Sequence, residues 1–119
     1  MADLTRTDVV KILAVTEHAR LAGVDLSGLD LHGLNFAGAD LIRANLSGSD
    51  MSNTYMRGAS LEFANLEGAT FVGANLKEVN LKGATLRGAD LTNANMTDTN
   101  LYQADLKGAK TTDTVGFAR

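Results

Sequence analysis

Large apolar residues recur along this chain at every fifth position. From Val24 to Gly108 the sequence divides, without insertion, into 17 blocks of five. The third residue of each block, its centre, is always Leu, Phe or Met, from Leu26, Leu31 and Phe36 to Met96, Leu101 and Leu106. Two positions before the centre stands Ala in ten of the 17 blocks, and directly before it Asp or Asn in 13. Ten blocks end in Gly. A period of five suits neither regular element. On a helix five residues advance about 500°, so the centres would spiral round the surface. On a straight strand an odd period sends successive centres to opposite faces. The conflict disappears if the chain turns a corner once per block. Gly tolerates positive φ, and Asp or Asn can bond its own nearby backbone, so both serve corners. Residues two apart in an extended side share a face, so Ala and Leu both point inward. The pattern therefore predicts an all-β solenoid, a polygonal coil with Leu and Ala inside.

The blocks Ala39-Asp40-Leu41, Ala64-Asn65-Leu66-Glu67-Gly68 and Ala104-Asp105-Leu106-Lys107-Gly108 resemble the pentapeptide repeat proteins, and the likeness covers about 85 of the 119 residues. That resemblance implies a right-handed, four-sided (quadrilateral) β-helix with four blocks per coil. The residue pattern alone demands corners and does not count them. With four blocks per coil, every fourth centre stacks. Leu26, Leu46, Leu66, Leu86 and Leu106 then form one column, and every Phe and Met centre falls in the second and third columns.

Outside the repeat, residues 7–22 read as a helix. Thr7 is its candidate cap, Asp8 lies in its first turn, and Gly23 follows its end. Val9, Ile12, Leu13 and Thr16 share one side at helical spacing. The segment is expected to cap the first coil, whose small positions are enlarged to Val24, Leu29 and Leu34. The expected division is a capping helix over 1–23, the repeat over 24–110 and a tail or cap over 111–119. In that tail, Val115 and Phe117 either fold over the last coil or join two molecules end to end as a homodimer.

Composition narrows the function. The chain carries 11 basic and 14 acidic side chains, a balance too mild for phosphate-driven nucleic-acid binding. It has no Cys, so neither a disulfide framework nor a thiolate metal site is expected. The opening Met1-Ala2-Asp3 lacks a basic run and no long apolar segment occurs, which makes a cytoplasmic protein with no membrane partner the expectation. The two His are far apart in register, and no glycine-rich phosphate loop follows a strand, so no enzyme and no cofactor is expected. Asp30, Asp50 and Asp90 stack on the second face beside His32. The expectation there is backbone bonding at each corner and no metal. Asn45-Leu46-Ser47 and Asn95-Met96-Thr97 fit the glycosylation pattern as by-products of the repeat.

The outward positions of the fourth face carry Ile42, Phe63 and Tyr102, the candidate interaction patch. The expected function is a non-catalytic structural or protein-interaction module that binds a protein partner. Some pentapeptide repeat proteins resemble a DNA rod and act on DNA gyrase. A gyrase regulator is therefore the alternative, against which the mixed charge and the short coil both stand.

Overall fold

The computed structural model describes residues 2–117. Among the described residues a single helix, α1 (Arg6–Val15), precedes a coil that continues to Val115. Parallel bridges climb the coil in one unbroken series, from Arg20 with Asp40 and Asp25 with Asn45 to Asn95 with Val115. Each bridge joins positions four blocks apart, so four blocks complete one circuit and the solenoid is four-sided. Each side is too short for a ladder. Among the described residues the sheet exists only as isolated bridges, one at each Asp/Asn position.

The corner chemistry is the same in every block. The amide three positions after a centre donates to the centre's carbonyl, as Ala39 N does to Phe36 O at 2.9 Å, which closes a β-turn. The third residue of that turn has positive φ, as a type II turn requires. Glycine fills it in most blocks, but eight other residues do so as well, among them Arg43, Phe63 and Gln103 with φ of 59 to 60°. The Asp or Asn before the centre accepts from the amide two positions on, as Asn75 Oδ1 does from Lys77 N at 3.0 Å. All 13 Asp and Asn residues at that position make this bond. Asn45 and Asn95 use the same oxygen to accept from the Ser47 and Thr97 hydroxyls, so the two glycosylation-like triplets are corners.

Layers are tied by three amides per block. The centre N–H donates to a carbonyl of the next coil, as in Leu66 N to Thr85 O at 2.7 Å. The corner N–H does the same, as in Gly68 N to Arg87 O at 2.9 Å. The Asp/Asn N–H donates the other way, to the preceding coil, as in Asn65 N to Ala44 O at 3.0 Å. Inside, the centres from Leu26 to Met96 are at most 1% exposed, with the Ala column packed between them. Ser49 and Thr54 replace Ala in that column, and their buried hydroxyls donate to Leu46 O and Met51 O. Repeated burial of Leu, at about 1.5–3 kcal/mol each, drives the winding.

The N-terminal end differs from the sequence expectation. The helix is capped by Thr5, ahead of the expected Thr7. The Thr5 side chain accepts from Asp8 N while Asp8 bonds back to Thr5 N, a capping box that displaces Thr7 from the role. The helix ends at Val15, and Gly23 does not terminate it. Ala19-Arg20-Leu21-Ala22-Gly23 is instead a further block of the repeat. Ala19 and Leu21 are 2% exposed, Gly23 has φ of +70°, and Leu21 N donates to Asp40 O. Burying Ala19 and Leu21 against the next coil outweighs one more turn of helix.

Among the described residues no full coil lies beneath the first one to supply hydrogen-bond partners. On the first face Asp3 stands in on both counts, its N–H donating to Asp25 O and its carboxylate accepting from Asp25 N. On the second face the Arg6 guanidinium donates to Asp30 O at 2.9 Å and His32 O at 3.2 Å. Higher in the solenoid the equivalent carbonyls, Asp50 O and Ser52 O, take the amides of Leu31 and Gly33. One arginine fork thus replaces two backbone amides. Val9 of α1 is fully buried in the core, with Ile12 and Leu13 partly buried against it, and Thr16 is exposed.

At the other end the coil geometry outlasts the apolar pattern. Thr111 takes a centre position, Asp113 its positive-φ corner, and Val115 bridges to Asn95. The repeat thus runs on past 110. Phe117 packs partly buried on the core, whereas Val115 is 58% exposed. Ala118 and Arg119, the rest of the expected tail, lie outside the described residues. No helix among the described residues is long and apolar enough to cross a membrane.

Candidate functional site

Each residue of the fourth-face corner is set by the layer bonds. Arg43 N donates to Glu62 O, Phe63 N to Lys82 O and Gly83 N to Tyr102 O, all at 2.9 Å. Arg43, Phe63 and Gly83 therefore stand one above another in successive coils. The absence of a side chain on Gly83 lets the Phe63 ring lie against it, where a Cβ would overlap the ring. On the opposite side the Arg43 guanidinium carbon sits 4.8 Å from the ring centroid, a cation–π contact. The residue remains 41% exposed. An aromatic group is thus held on the surface by contacts from both neighbouring layers.

Of the three residues expected to form an apolar patch, Tyr102 is 64% exposed and Ile42 is partly buried. Ile42 and Tyr102 share a register three layers apart, about 14 Å at 4.8 Å per layer, with Glu62 and Lys82 between them. Glu62 accepts from the Asn80 amide. The three are therefore aligned on one face without forming a continuous apolar surface. The sequence reading missed Arg43 and Gly83 as the supports of Phe63, although their spacing of one circuit on either side was available as a signal.

The second face gathers the other cluster. Ligand atoms of Asp30, His32 and Asp50 lie within 4.8 Å of one another, an oxygen and nitrogen set able to hold a divalent metal. Asp30 already has its partners. It accepts from the His32 backbone N–H, bonds the His32 ring, and lies 3.5 Å from Arg6. The His32 bond, followed by the Coulomb attraction of His32 and Arg6, holds the Asp30 carboxyl below its ordinary range. The tethered Arg6 supplies the positive charge a cation would bring. Elsewhere on the surface Arg57 pairs with Glu78 and Arg87 with Asp105, each across adjacent layers.

A repeat of period five, wound four blocks to the layer around Leu and Ala, defines a class of solenoid scaffold. The pentapeptide-repeat family model matches this chain in overlapping stretches over residues 19–58, 35–73, 55–93 and 74–110. The chain belongs to the pentapeptide repeat family. It is similar to a pentapeptide repeat protein from the cyanobacterium Cyanothece 51142, at 38% identity over 77% of this chain and 63% of that one, with a TM-score of 0.76. It is also similar to a pentapeptide repeat protein of the Arabidopsis thaliana thylakoid lumen, at 32% identity over 70% of this chain and 61% of that one, with a TM-score of 0.50. The chain thus spans less than two thirds of the length of either. Among curated proteins no sequence matches it.

Proposed function

We propose that this chain is a non-catalytic protein-interaction module that presents the fourth face of its solenoid, centred on Phe63, to a protein partner. The observation that carries the reading is the clamped ring. Aromatic anchors dominate binding energy at protein interfaces, and an anchor already immobilised spends little entropy on docking. Phe63 is exposed and fixed by Arg43 and Gly83. The titratable groups support a non-catalytic role, since each lowered carboxyl is accounted for by a corner bond, an ion pair or the cap of α1. The right-handed winding follows from family membership, and α1 serves as the lid of the first coil through Val9. Regulation of DNA gyrase by DNA mimicry asks for a long acidic rod. This molecule extends 34 × 26 × 21 Å and interleaves basic with acidic side chains. The test is quantitative affinity capture from the native cell with wild-type, Phe63→Ala and Tyr102→Ala chains. Phe63→Ala is expected to lose the partner that the wild type retains, with the coil still folded. Equal capture by all three refutes the assignment.

A further inference from the structure

The lower edge of the first coil presents the same pair of carbonyls on each face. On the second face, Asp30 O and His32 O are both taken by the Arg6 guanidinium. On the third face the equivalent pair is Asn35 O and Ala37 O. In the coils above, the carbonyls at these register positions point toward the preceding layer, as Tyr55 O and Arg57 O do when they accept from Phe36 N and Gly38 N. Among the described residues no hydrogen bond reaches Asn35 O or Ala37 O, and the His18 ring lies against the neighbouring Gly38. Both residues line a groove of about 730 Å³ between the end of α1 and the first coil. That volume falls in the range of small-ligand and side-chain pockets.

The chemistry of the groove points one way. Leu13, Ala14 and Val15 line it, and they belong to the last turn of α1, whose carbonyls have no helical partner. That turn carries no basic residue, so no side chain within it offsets the negative end of the helix dipole. Glu17 adds a carboxylate, and neither Lys11 nor Arg20 lines the groove. Val10 and Leu34 provide apolar wall, suited to the methylene stem of a long side chain. The groove thus combines a paired-carbonyl acceptor, a negative rim and an apolar flank.

We propose that this groove binds an arginine side chain on an extended segment of a protein partner. The guanidinium forks onto Asn35 O and Ala37 O as that of Arg6 does on the adjacent face, with Glu17 and the end of α1 balancing its charge. A lysine ammonium is a point donor and does not span both carbonyls in a fixed plane. The groove shares no residue with the Phe63 ladder, so each assignment stands or falls alone.

The test is amide-resolved NMR titration of the full chain with acetyl-Gly-Arg-Gly amide and with its lysine and citrulline counterparts. The arginine peptide is expected to shift the amides of Asn35, Ala37 and the end of α1. Citrulline, which keeps the shape and loses the charge, is expected to bind about fivefold weaker, as is the arginine peptide to the exposed-site variant Glu17→Gln. Shifts scattered away from these amides, equal affinity for citrulline, or no effect of Glu17→Gln would each overturn the site. Free L-arginine binding more tightly than the blocked peptide would overturn the assignment to a polypeptide partner.

Discussion

Replacing Gly83 by alanine places a methyl group where the Phe63 ring lies. Gly48 supplies the control. It has nearly the same backbone, φ of +65° against +67°, but open space where a Cβ would stand. At Gly48 only the conformational terms act. The left-handed region costs an L-residue roughly 1–2 kcal/mol, and a stiffer unfolded chain returns about 0.5, so Gly48→Ala is expected to destabilise by about 1 kcal/mol. At Gly83 the same cost applies and the ring must also move. With Phe63 41% exposed, its buried part contributes about 1–2 kcal/mol, and its contact with Arg43 about 0.5 more. A displaced ring keeps some of this, so Gly83→Ala is expected to cost about 2–3 kcal/mol in all. Urea unfolding at neutral pH measures both. In a Phe63→Ala background the excess of Gly83→Ala over Gly48→Ala should vanish. An excess that survives there, or no excess in the wild type, refutes the clamped-ring geometry.

Gln103 occupies the same corner in the coil beyond Gly83, with φ of 59° and an exposed side chain. Gln103→Gly is therefore expected to stabilise the chain by about 1 kcal/mol in the same urea assay. Acid acts on the corner carboxylates. Asp25, Asp30, Asp90 and Asp105 are held below their ordinary range, led by side-chain bonds from Ser27, His32, Thr92 and Arg87 respectively. Lowered values in the fold mean that the unfolded chain binds more protons. Their stabilisation is complete above the unfolded carboxylate value of about 4 and is lost as pH falls through the folded values. The urea midpoint should stay level from pH 7 to about 5 and fall below pH 4, and a level profile down to pH 3 contradicts this. Arg6→Ala removes both substitutes for backbone amides on the second face and should cost about 1 kcal/mol, discounted for exposure. It should also speed hydrogen exchange across α1, whereas Arg6→Lys recovers only part of the effect.

Most of the coil was legible because one inward Leu per block and one corner per block are independent constraints that agree. The centres and the Ala column are where the pattern placed them, buried from Leu26 to Met96. The ends were misread for a physical reason. Residues 7–22 carry helical spacing of apolar groups, and Ala19-Arg20-Leu21-Ala22-Gly23 satisfies both a helix terminus and a repeat block. Local pattern cannot decide between them. The decision is tertiary, made by the bonds from Leu21 to Asp40 and from Gly23 to Ile42 in the next coil. Thr111 misled in the opposite sense. A polar centre looks like the end of the repeat, but backbone bonds such as Val115 N to Ala94 O still hold that turn in place.

The candidate site was half legible for a related reason. Exposure of Phe63 and Tyr102 follows from block position alone, so both could be named from sequence. What holds Phe63 depends on which residues lie above and below it, and that needs the count of four, which the apolar pattern does not contain. Once a layer is fixed at four blocks, Arg43, Phe63 and Gly83 become a single object. So do Asp3 with Asp25 and Arg6 with Asp30 and His32, where groups from outside the repeat take the hydrogen-bonding places that a neighbouring coil fills elsewhere. A repeat makes its interior uniform, so individuality is confined to corners and ends. In this chain those are the places where a non-glycine residue takes positive φ beside a glycine, and where an unmatched carbonyl pair meets the end of a helix. The scaffold accounts for stability, and these departures from its rule are where binding specificity has room to arise.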